Sequence, residues 1–223
     1  MEARYQRNIP AISEAEQEVL GQKHVLIVGC GGLGGYLVEY MTRMGVGGIT
    51  AVDGDVFDES NLNRQLLSSV PQLGCSKAFA AKERAQGINP AVAFQAVREF
   101  FNRENADALV QGHDLVLDAL DNIPARWLLE DVCTRQSVPV VHGAIHGWSA
   151  QVLVVEPGSG LLHRLYPKDV PSIDKSSLPF TPPFCAALQA AEAVKLLCGR
   201  STELSGKLLL ADLLSLDWNI LDL

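Results

Sequence analysis

The sequence contains no apolar run approaching the roughly 18 consecutive residues that a membrane-spanning helix requires. Its first residues, Met1 to Ile9, carry Glu2, Arg4 and Arg7 where a secretory signal peptide would have an apolar core. These two absences argue against membrane insertion and against secretion. We therefore expect a cytoplasmic protein without membrane contact.

Clustered basic residues are also missing. The chain has 18 lysines and arginines against 26 aspartates and glutamates, which gives a formal net charge of −8 at pH 7. Nucleic-acid binding depends on groups of Lys and Arg that contact phosphates, so we expect no nucleic acid as a partner. An acidic chain can still bind one phosphate-bearing ligand through local geometry.

Paired metal-binding residues are the third absence. The five cysteines form no CxxC pair, and so they do not predict the usual tetrahedral zinc site: Cys30, Cys75, Cys133, Cys185 and Cys198. We expect such scattered cysteines to be small buried hydrophobic residues. The five histidines also lack ligand-like spacing. His142 and His146 are four residues apart, but in a strand that spacing does not bring two side chains together.

Strand-like and helix-like segments alternate along most of the chain. Runs rich in Val, Ile and Leu predict buried strands, and amphipathic stretches with cap residues predict helices between them. The predicted strands cover Lys23–Val28, Ile49–Val52, Ala91–Val97, Asp114–Leu117, Val138–Val141 and Ala150–Val155, with two short ones near Leu208 and Leu216. The first predicted helix starts at Ser13, because Ser13 and Glu16 form a Ser-x-x-Glu capping-box pattern. The second starts within the glycine-rich stretch 29–35, and further ones cover Lys77–Gln86, Asn105–Val110, Ala125–Arg135 and Ala186–Leu197.

This alternation predicts an α/β fold, a Rossmann-like doubly wound and mostly parallel sheet. The link between the strands that end at Val141 and begin at Ala150 is tight, so the C-terminal strands are expected to pair antiparallel. We see no internal repeat and expect a single nucleotide-binding domain over residues 1–223. A long crossover loop is expected at about 156–183, where prolines are frequent. Loops of this length are usually functional or disordered, and the composition leaves both open.

A glycine-rich motif follows the first predicted strand. Gly29, Gly31, Gly32 and Gly34 form GxGxxG at the start of a helix, and Asp53 ends the next strand about twenty residues later. The glycines permit a tight turn, and the free N–H groups of the helix start favour a phosphate. Asp53 is suited to accept hydrogen bonds from ribose hydroxyls. The motif predicts nucleotide binding but leaves the reaction open.

Polar residues crowd the segment after Asp53. Amide and guanidinium groups lie just outside the carboxyl end of the second strand, and arginine can bind phosphate through two hydrogen bonds. A lysine at the start of the next helix would add a positive charge for phosphate. We therefore predict nucleotide contacts from Asp55, Asn61, Arg64, Gln65 and Lys77.

A third group of polar residues follows the fourth predicted strand. Asp121 and Asn122 end the segment that starts at Asp118, and a carboxylate beside a phosphate site is suited to bind Mg²⁺. Aspartate and asparagine are also preferred helix caps, so capping of the helix from Ile123 is the alternative. We predict that Asp121 and Asn122 belong to the nucleotide site and that Asp121 binds Mg²⁺.

In this order, these segments closely resemble the ThiF/MoeB/HesA family, the bacterial relatives of ubiquitin-activating enzymes. The resemblance covers nearly the whole chain through RYQR at Arg4–Arg7, GCGGLGG at Gly29–Gly35, residues 53–65, Lys77, Asn89-Pro90, DALDNIPAR at Asp118–Arg126, Gly143-Ala144 and residues 188–195. It implies ATP-dependent adenylation of the C-terminal glycine of a small ubiquitin-like sulfur-carrier protein that ends in Gly-Gly.

The resemblance also implies roles for individual residues. Asp53 would hold ribose, and the triphosphate would be held by Asn61, Arg64, Gln65 and Lys77. Arg64 and Lys77 would also stabilise the transition state, with Asp121 binding Mg²⁺. Arg7 resembles an arginine that reaches into the active site of the other protomer, so we expect a homodimer.

Two features of the family pattern are missing. Members usually carry two CxxC pairs for a structural zinc, but here Leu162–Pro167 stands at the first position and the second is absent. Many relatives also carry a cysteine in the long loop, whereas Lys168–Leu178 has none and Cys185 lies beyond it. We therefore expect no zinc, and we favour a packing role over a covalent role for Cys185.

Three alternatives compete with protein adenylation. An NAD-dependent oxidoreductase would share the motif up to Asp53 but would leave Arg64, Lys77 and Asp121 unexplained. A non-catalytic module that only docks a ubiquitin-like protein is consistent with the missing cysteines, but not with the intact phosphate-binding set. Adenylation of a non-protein carboxylate such as a modified tRNA base is disfavoured by the acidic charge.

Overall fold

The computed structural model describes residues 2–167 and 176–223, which form one eight-stranded sheet flanked by helices. The strand order is β3-β2-β1-β4-β5-β6-β7-β8. The strands are β1 (His24–Val28), β2 (Gly48–Val52), β3 (Ala93–Val97), β4 (Leu115–Asp118), β5 (Val140–His146), β6 (Ser149–Val155), β7 (Lys207–Asp212) and β8 (Asp217–Asp222). The α-helices are α1 (Glu14–Leu20), α2 (Gly32–Met44), α3 (Lys77–Ile88), α4 (Ala106–Val110), α5 (Ile123–Gln136), α6 (Leu161–Leu165) and α7 (Thr181–Leu197).

The direction of the strands changes once across the sheet. β3, β2, β1, β4 and β5 pair parallel, and β6, β7 and β8 continue from β5 in antiparallel pairs. Gly147 has a φ of 53° in the turn between β5 and β6, a left-handed conformation that suits glycine. The predicted mostly parallel sheet with antiparallel C-terminal strands is therefore confirmed. The last strand lies just beyond the predicted position near Leu216, because Leu216 itself occupies a turn at φ 61°.

Helices cover both faces of the parallel part of the sheet. One core cluster joins the sheet to α2, α3 and α7, and a second joins it to α4, α5 and α6. Apolar residues such as Leu26 and Ile27 are adjacent in β1 but belong to opposite clusters, because successive strand residues point to opposite faces. This two-sided burial explains why the strands are continuous apolar runs.

The strand order places a crevice at the centre of the sheet. The chain passes outward from β1 to β2 and β3, then returns to the other side of β1 as β4. In open α/β sheets, ligands bind at this reversal, outside the carboxyl ends of the strands. The residues that follow β1, β2 and β4 meet there.

The prediction for the stretch 156–183 is only partly correct. It contains a short helix, α6, and α7 begins at Thr181 rather than at the predicted Ala186. Pro182 and Pro183 lie in the first turn of α7, where a proline needs no N–H partner and its fixed φ suits the helix. The prediction that these two prolines belong to the loop is therefore wrong. The middle of the expected loop, residues 168–175, lies outside the described residues.

The N-terminal segment is anchored at the end of α2 that is remote from the crevice. Residues Ala3–Asn8 form a 3₁₀ helix that the sequence analysis did not predict. Tyr5 lies against Gly45, the residue that caps the C-terminus of α2, and its hydroxyl accepts a hydrogen bond from Asn89 Nδ2 at 2.7 Å. Arg4 donates to Asn89 Oδ1 at 2.5 Å. Asn89 therefore fixes the N-terminal segment against the body of the fold.

Two further points concern helices. The predicted capping box of α1 is confirmed, since Ser13 Oγ accepts from Glu16 N and the Glu16 carboxylate accepts from Ser13 N. Among residues 2–167 and 176–223, no helix is both long and apolar enough to cross a membrane.

Candidate functional site

Two glycines of the GxGxxG loop are required by close backbone packing. Gly29 has a φ of 99°, and a side chain there would place its Cβ 2.6 Å from the carbonyl oxygen of Ala119. A Cβ on Gly34 would collide with the backbone of Gly29. Because neither position admits another residue without displacing backbone, Gly29 and Gly34 set the shape of the loop.

The other two glycines of the motif have more space around them. A Cβ on Gly31 would lie 3.5 Å from Gln65 Nε2, and one on Gly32 would lie 3.6 Å from Pro182 Cγ. These are ordinary van der Waals distances, so packing alone does not require glycine at either position. Both residues are half-buried, at the start of α2. Because neither carries a side chain and both are half-buried, their backbone is accessible from the space beside Gln65 and the start of α7.

Gln65 contributes a buried amide beside this space. Its side chain is 7% exposed, and its Oε1 has no hydrogen-bond partner among the described residues. An unpaired buried acceptor costs free energy, about 1–3 kcal/mol, unless a ligand or water donates to it. The predicted Gln65 contact with a nucleotide fits this position.

Asp53 anchors the glycine loop from the end of β2. Its Oδ2 accepts from the N–H of Cys30 at 2.7 Å, and its Oδ1 accepts from the N–H of Asp55 at 2.8 Å. Burial raises the pKa of Asp53, and these two hydrogen bonds and the charge of Lys77 oppose that rise. Each carboxylate oxygen can accept a further bond, so the predicted ribose contact is compatible with these bonds.

Lys77 is buried at the first position of α3. It is 7% exposed, and its Nζ lies 3.3 Å from Asp55 Oδ2. Its charge opposes the rise in the pKa of Asp53 and of Cys30, so it lies near the end of β2 and the glycine loop. A buried cation is costly unless it is paired, and the Asp55 carboxylate is itself half-exposed. Lys77 is therefore placed to meet an anionic ligand.

Arg64 and Asn61 lie in the segment between β2 and α3. Asn61 is buried, and its Oδ1 accepts from Asp58 N at 3.2 Å. Arg64 is half-buried, and its Nη1 donates to Ser60 O at 2.9 Å and to Asn63 Oδ1 at 2.7 Å. Within the described part of the chain, the guanidinium bonds to its own segment rather than to Lys77 or Gln65. The structure therefore brings Lys77, Gln65 and the glycine loop together and leaves Arg64 at the rim.

The turn after β4 carries the remaining predicted residues. Asn122 Oδ1 accepts from Ala125 N at 3.0 Å, so Asn122 is the N-cap of α5, as the capping alternative requires. Asp121 is exposed one residue earlier. No group of three or more His, Cys, Asp or Glu side chains is arranged for a metal among the described residues. A Mg²⁺ ion at Asp121 would have to take its other ligands from phosphate and water, which is usual for this ion.

A buried polar chain behind this turn was not foreseen. Asp118 and His142 are both fully buried, with His142 Nδ1 2.7 Å from Asp118 Oδ2. His142 Nε2 lies 3.0 Å from the hydroxyl of Tyr166. Gln189 of α7 donates to the carbonyl oxygen of Asp118 at 2.9 Å. The signal in the sequence was a histidine directly after the apolar run 138–141, because a buried polar side chain demands a partner.

The burial of His142 leads to a prediction about stability. Burial lowers the pKa of His142, while its hydrogen bond to Asp118 opposes the shift. In the unfolded chain a histidine titrates near about 6.5, so below that pH the unfolded state binds more protons than the folded state. We expect the free energy of unfolding, measured with urea, to fall between about pH 6.5 and 5.5, and to fall less in His142→Gln.

The exposed His146 provides the matched control, because His146→Gln removes a histidine from the same strand without altering the buried chain. Equal pH dependence in wild type and His142→Gln, with both folded at pH 7.5, would show that His142 does not carry the effect.

The cysteines divide between the core and the surface. Cys185 is fully buried, its Sγ lies 3.5 Å from the carbonyl oxygen of Gln151, and burial raises its thiol pKa to about 12. A thiol that stays protonated is a poor nucleophile, which favours packing as expected. Cys30 and Cys133 are also buried. The expectation is wrong for Cys75, which is exposed because it lies in the turn before α3.

The segment Leu162–Pro167 is held by protein side chains. The carboxylate of Glu130 accepts from the N–H groups of Leu162 and His163, and the His163 ring stacks on Trp127 with a centroid distance of 5.7 Å. His163 Nε2 lies 3.0 Å from Asp131 Oδ1. The segment is thus attached to α5 through hydrogen bonds and ring stacking.

We predict that the purified protein contains no stoichiometric zinc, because the sequence lacks the cysteine pairs that hold such an ion. Elemental analysis after purification without chelators should give well under one zinc per chain. One zinc per chain, lost in His163→Ala, would contradict the prediction and place the ion beside α5.

Comparison with known proteins finds relatives that match nearly the whole chain. The ThiF family matches residues 5–223. The SAMP-activating enzyme E1 of Haloferax volcanii is 36% identical over 217 residues, which cover 94% of this chain and 80% of that protein. The sulfur carrier protein adenylyltransferase of Thermus thermophilus is 36% identical over 225 residues, which cover 95% of this chain and 83% of that protein.

Among solved structures, E. coli MccB with ATP superposes with a TM-score of 0.84 at 21% identity, covering 100% of this chain and 72% of that one. At this identity the likeness concerns the fold. It confirms the Rossmann-type sheet with antiparallel C-terminal strands.

Proposed function

Because this chain belongs to the ThiF family, we propose that it is an ATP-dependent adenylyltransferase. Its substrate is the C-terminal glycine of a small ubiquitin-like sulfur-carrier protein that ends in Gly-Gly, for sulfur transfer in cofactor biosynthesis. The relatives named above are a carrier adenylyltransferase and an activating enzyme, and each aligns over at least 80% of its length. The continuous sheet supports one adenylation domain over residues 1–223.

The observation that carries this proposal is the buried cation beside the glycine loop. Lys77 is 7% exposed, and its Nζ lies 3.3 Å from Asp55 Oδ2, two residues after Asp53. A hydride-transfer enzyme needs no buried lysine next to the ribose-binding carboxylate. A triphosphate does, because its charge must be offset while the α-phosphate is attacked.

The reaction requires no general base. The terminal glycine carboxylate is already anionic at neutral pH, so it can attack the α-phosphorus directly. A bond forms between a carboxylate oxygen and this phosphorus, and the bond to the β-phosphate oxygen breaks, giving an acyl-adenylate and pyrophosphate. The obstacle is the approach of two anions, which positioning and cationic groups overcome.

The residues of the site divide this work. The N–H groups at the start of α2 are directed at the space beside Gly31 and Gly32 and suit the phosphates. Asp53 would hold ribose while it anchors the loop through Cys30. Lys77 offsets phosphate charge from within the site, and Arg64 would do so from the rim, after its guanidinium turns from Ser60 and Asn63. Asn61, Asp55 and Asn122 complete the proposed set.

Asp121 is the proposed magnesium ligand. When bound, Mg²⁺ would neutralise phosphate charge and orient the leaving pyrophosphate. A single exposed carboxylate after β4 fits an ion that takes most of its other ligands from the nucleotide and water.

We further propose a homodimer in which Arg7 completes the partner's site. Arg7 is exposed on the N-terminal 3₁₀ helix, two residues after Tyr5, which lies at the C-terminal end of α2. The glycine loop lies at the other end of this helix, about 20 Å away for 13 residues. This anchoring favours action of Arg7 across an interface over action in its own chain.

The direct test is ATP–pyrophosphate exchange with a panel of small carrier proteins that end in Gly-Gly. We expect exchange that depends on one or more carriers. A carrier with its terminal carboxylate amidated is the matched control, because it keeps the docking surface and loses the nucleophile.

The same protein should bind ATP in preference to NAD. Binding of NAD without ATP would support the oxidoreductase alternative. Binding of carriers and ATP without any exchange would support the non-catalytic alternative.

A further inference from the structure

We propose that Arg126 and Asp118, supported by His142 and Tyr166, are positioning residues that aim Asp121 at the metal and nucleotide. None of these four side chains needs to touch the substrate. They act by fixing the turn of residues 119–122 that carries Asp121. The inference rests on the proposed function, since it assigns a task to the turn in that site.

The turn is held through the backbone N–H and the backbone carbonyl oxygen of Leu120. Asp118 Oδ1 accepts from the N–H of Leu120 at 2.9 Å, and Arg126 Nη2 donates to the carbonyl oxygen of Leu120 at 2.6 Å. Asp118 is fully buried and Arg126 is 8% exposed. The peptide groups on either side of Leu120 are therefore fixed from the protein interior, and Asp121 follows directly.

The same turn touches the glycine loop. The N–H of Ala119 donates to Val28 O at 3.0 Å, and the carbonyl oxygen of Ala119 lies so close to Gly29 that a Cβ there would be 2.6 Å away. A shift of the turn therefore moves the loop that faces the phosphates. Both halves of the site depend on one backbone position.

The hydrogen bonds behind the turn have one consistent direction. Burial lowers the pKa of His142, so the ring is neutral, and its Nδ1–H donates to the carboxylate of Asp118. His142 Nε2 then accepts from the hydroxyl of Tyr166, and that hydroxyl accepts from Gln151 Nε2. Gln151 Nε2 also lies 3.3 Å from His142 Nε2, so Tyr166 and Gln151 together hold the ring while its Nδ1 fixes the second oxygen of Asp118.

Tyr166 also contacts Arg126 through its ring. The guanidinium carbon of Arg126 lies 4.9 Å from the centroid of the Tyr166 ring, and Arg126 Nε lies 3.7 Å from Asp118 Oδ2. Arg126 is thus held by a ring and by a carboxylate while its Nη2 binds the turn.

The test measures metal binding directly. Mn²⁺ is titrated into the protein with a nonhydrolysable ATP analogue and followed by electron paramagnetic resonance, alongside affinity for the analogue without metal. Loss of a residue that orients a ligand typically weakens metal affinity about 10–100-fold. We expect a loss in this range for Arg126→Lys, and about two- to tenfold for Tyr166→Phe, which removes the hydroxyl that bonds His142 and Gln151 and keeps the ring.

Arg135→Lys is the matched control. Arg135 lies on the same helix as Arg126, α5, and pairs with the Asp107 carboxylate of α4 rather than with the turn. We expect it to bind Mn²⁺ as wild type does. Thermal unfolding reports whether each variant is folded, and Tyr166→Phe carries the test if Arg126→Lys does not fold.

Failure of the positioning inference and failure of the proposed function give different results. If wild type binds Mn²⁺ with the analogue and both variants bind it within twofold of wild type, the positioning inference is overturned and the proposed function stands. If wild type binds no Mn²⁺ with the analogue, both are overturned. Weakened metal binding that exceeds the change in metal-free nucleotide affinity supports the inference.

Discussion

Replacing Lys77 with alanine is expected to lower carrier-dependent ATP–pyrophosphate exchange by about 10²–10³-fold, the usual cost of one preorganised charge donor. The physical reason is burial. Lys77 is 7% exposed, with its ammonium beside Asp55 at the end of β2, so water cannot replace its charge there. We expect the loss in the rate of exchange rather than in the affinity for the carrier.

The fold should survive this change. The partner carboxylate, Asp55, has a side chain that is 55% exposed, so it stays hydrated when Lys77 is removed. Lys82→Ala is the matched control, because it removes the same charge from the same helix, α3, away from the glycine loop. Wild-type exchange in folded Lys77→Ala would refute the adenylation mechanism.

Arg64→Ala is expected to lose most of the exchange as well. Its guanidinium lies at the rim, bound to Ser60 and Asn63, so its effect depends on a rearrangement when ATP binds. A loss with Lys77→Ala but not with Arg64→Ala would remove Arg64 from the catalytic set and leave the buried cation as the main donor.

Mixing two inactive variants is expected to restore about a quarter of wild-type activity if Arg7 acts across a twofold interface. Arg7→Ala and Lys77→Ala chains are each expected to be nearly inactive. In a mixed dimer, one site has its own Lys77 and the intact Arg7 of its partner. Half of the dimers are mixed at random exchange, and half of their sites are complete.

The N-terminal anchor explains why this test is decisive. Arg4 and Tyr5 bind Asn89, and Tyr5 lies at Gly45, so the short 3₁₀ helix cannot swing freely toward the loop at the other end of α2. Mass measurement must show that subunits exchange. If they do and no activity returns, Arg7 acts within its own chain or has no catalytic role. Arg4→Lys is a useful companion, since it keeps the charge and weakens the anchor.

The fold was predictable because its signals are local. The apolar run of β1, the glycine motif and the capping box at Ser13 each follow from neighbouring residues, and the structure has all three as expected. The start of α7 was not, because Pro182 and Pro183 have the same composition signal in a loop and in a first helical turn.

Candidate site residues could be proposed from the sequence only where they lie together in one segment. The burial of Lys77 beside the glycine loop could not be read from its position alone, because a lysine at a helix start is usually exposed. The chain of Asp118, His142 and Tyr166 was missed because its members come from β4, β5 and the residues after α6. Pairing across three elements depends on tertiary packing, which no local pattern records.

The hydrogen bonds of Gln189 have a consequence for synthesis of the chain. Gln189 Nε2 donates to the carbonyl oxygens of Asp118 and Val141, and so α7 joins the ends of β4 and β5. Pro182, at the start of the same helix, lies against Gly32. A nascent chain that has already made Asp53 must wait roughly 7–27 s for Gln189 at translation rates of about 5–20 residues per second. During that interval the glycine loop lacks its contact with α7. The nucleotide site is therefore among the last parts of the protein to be completed.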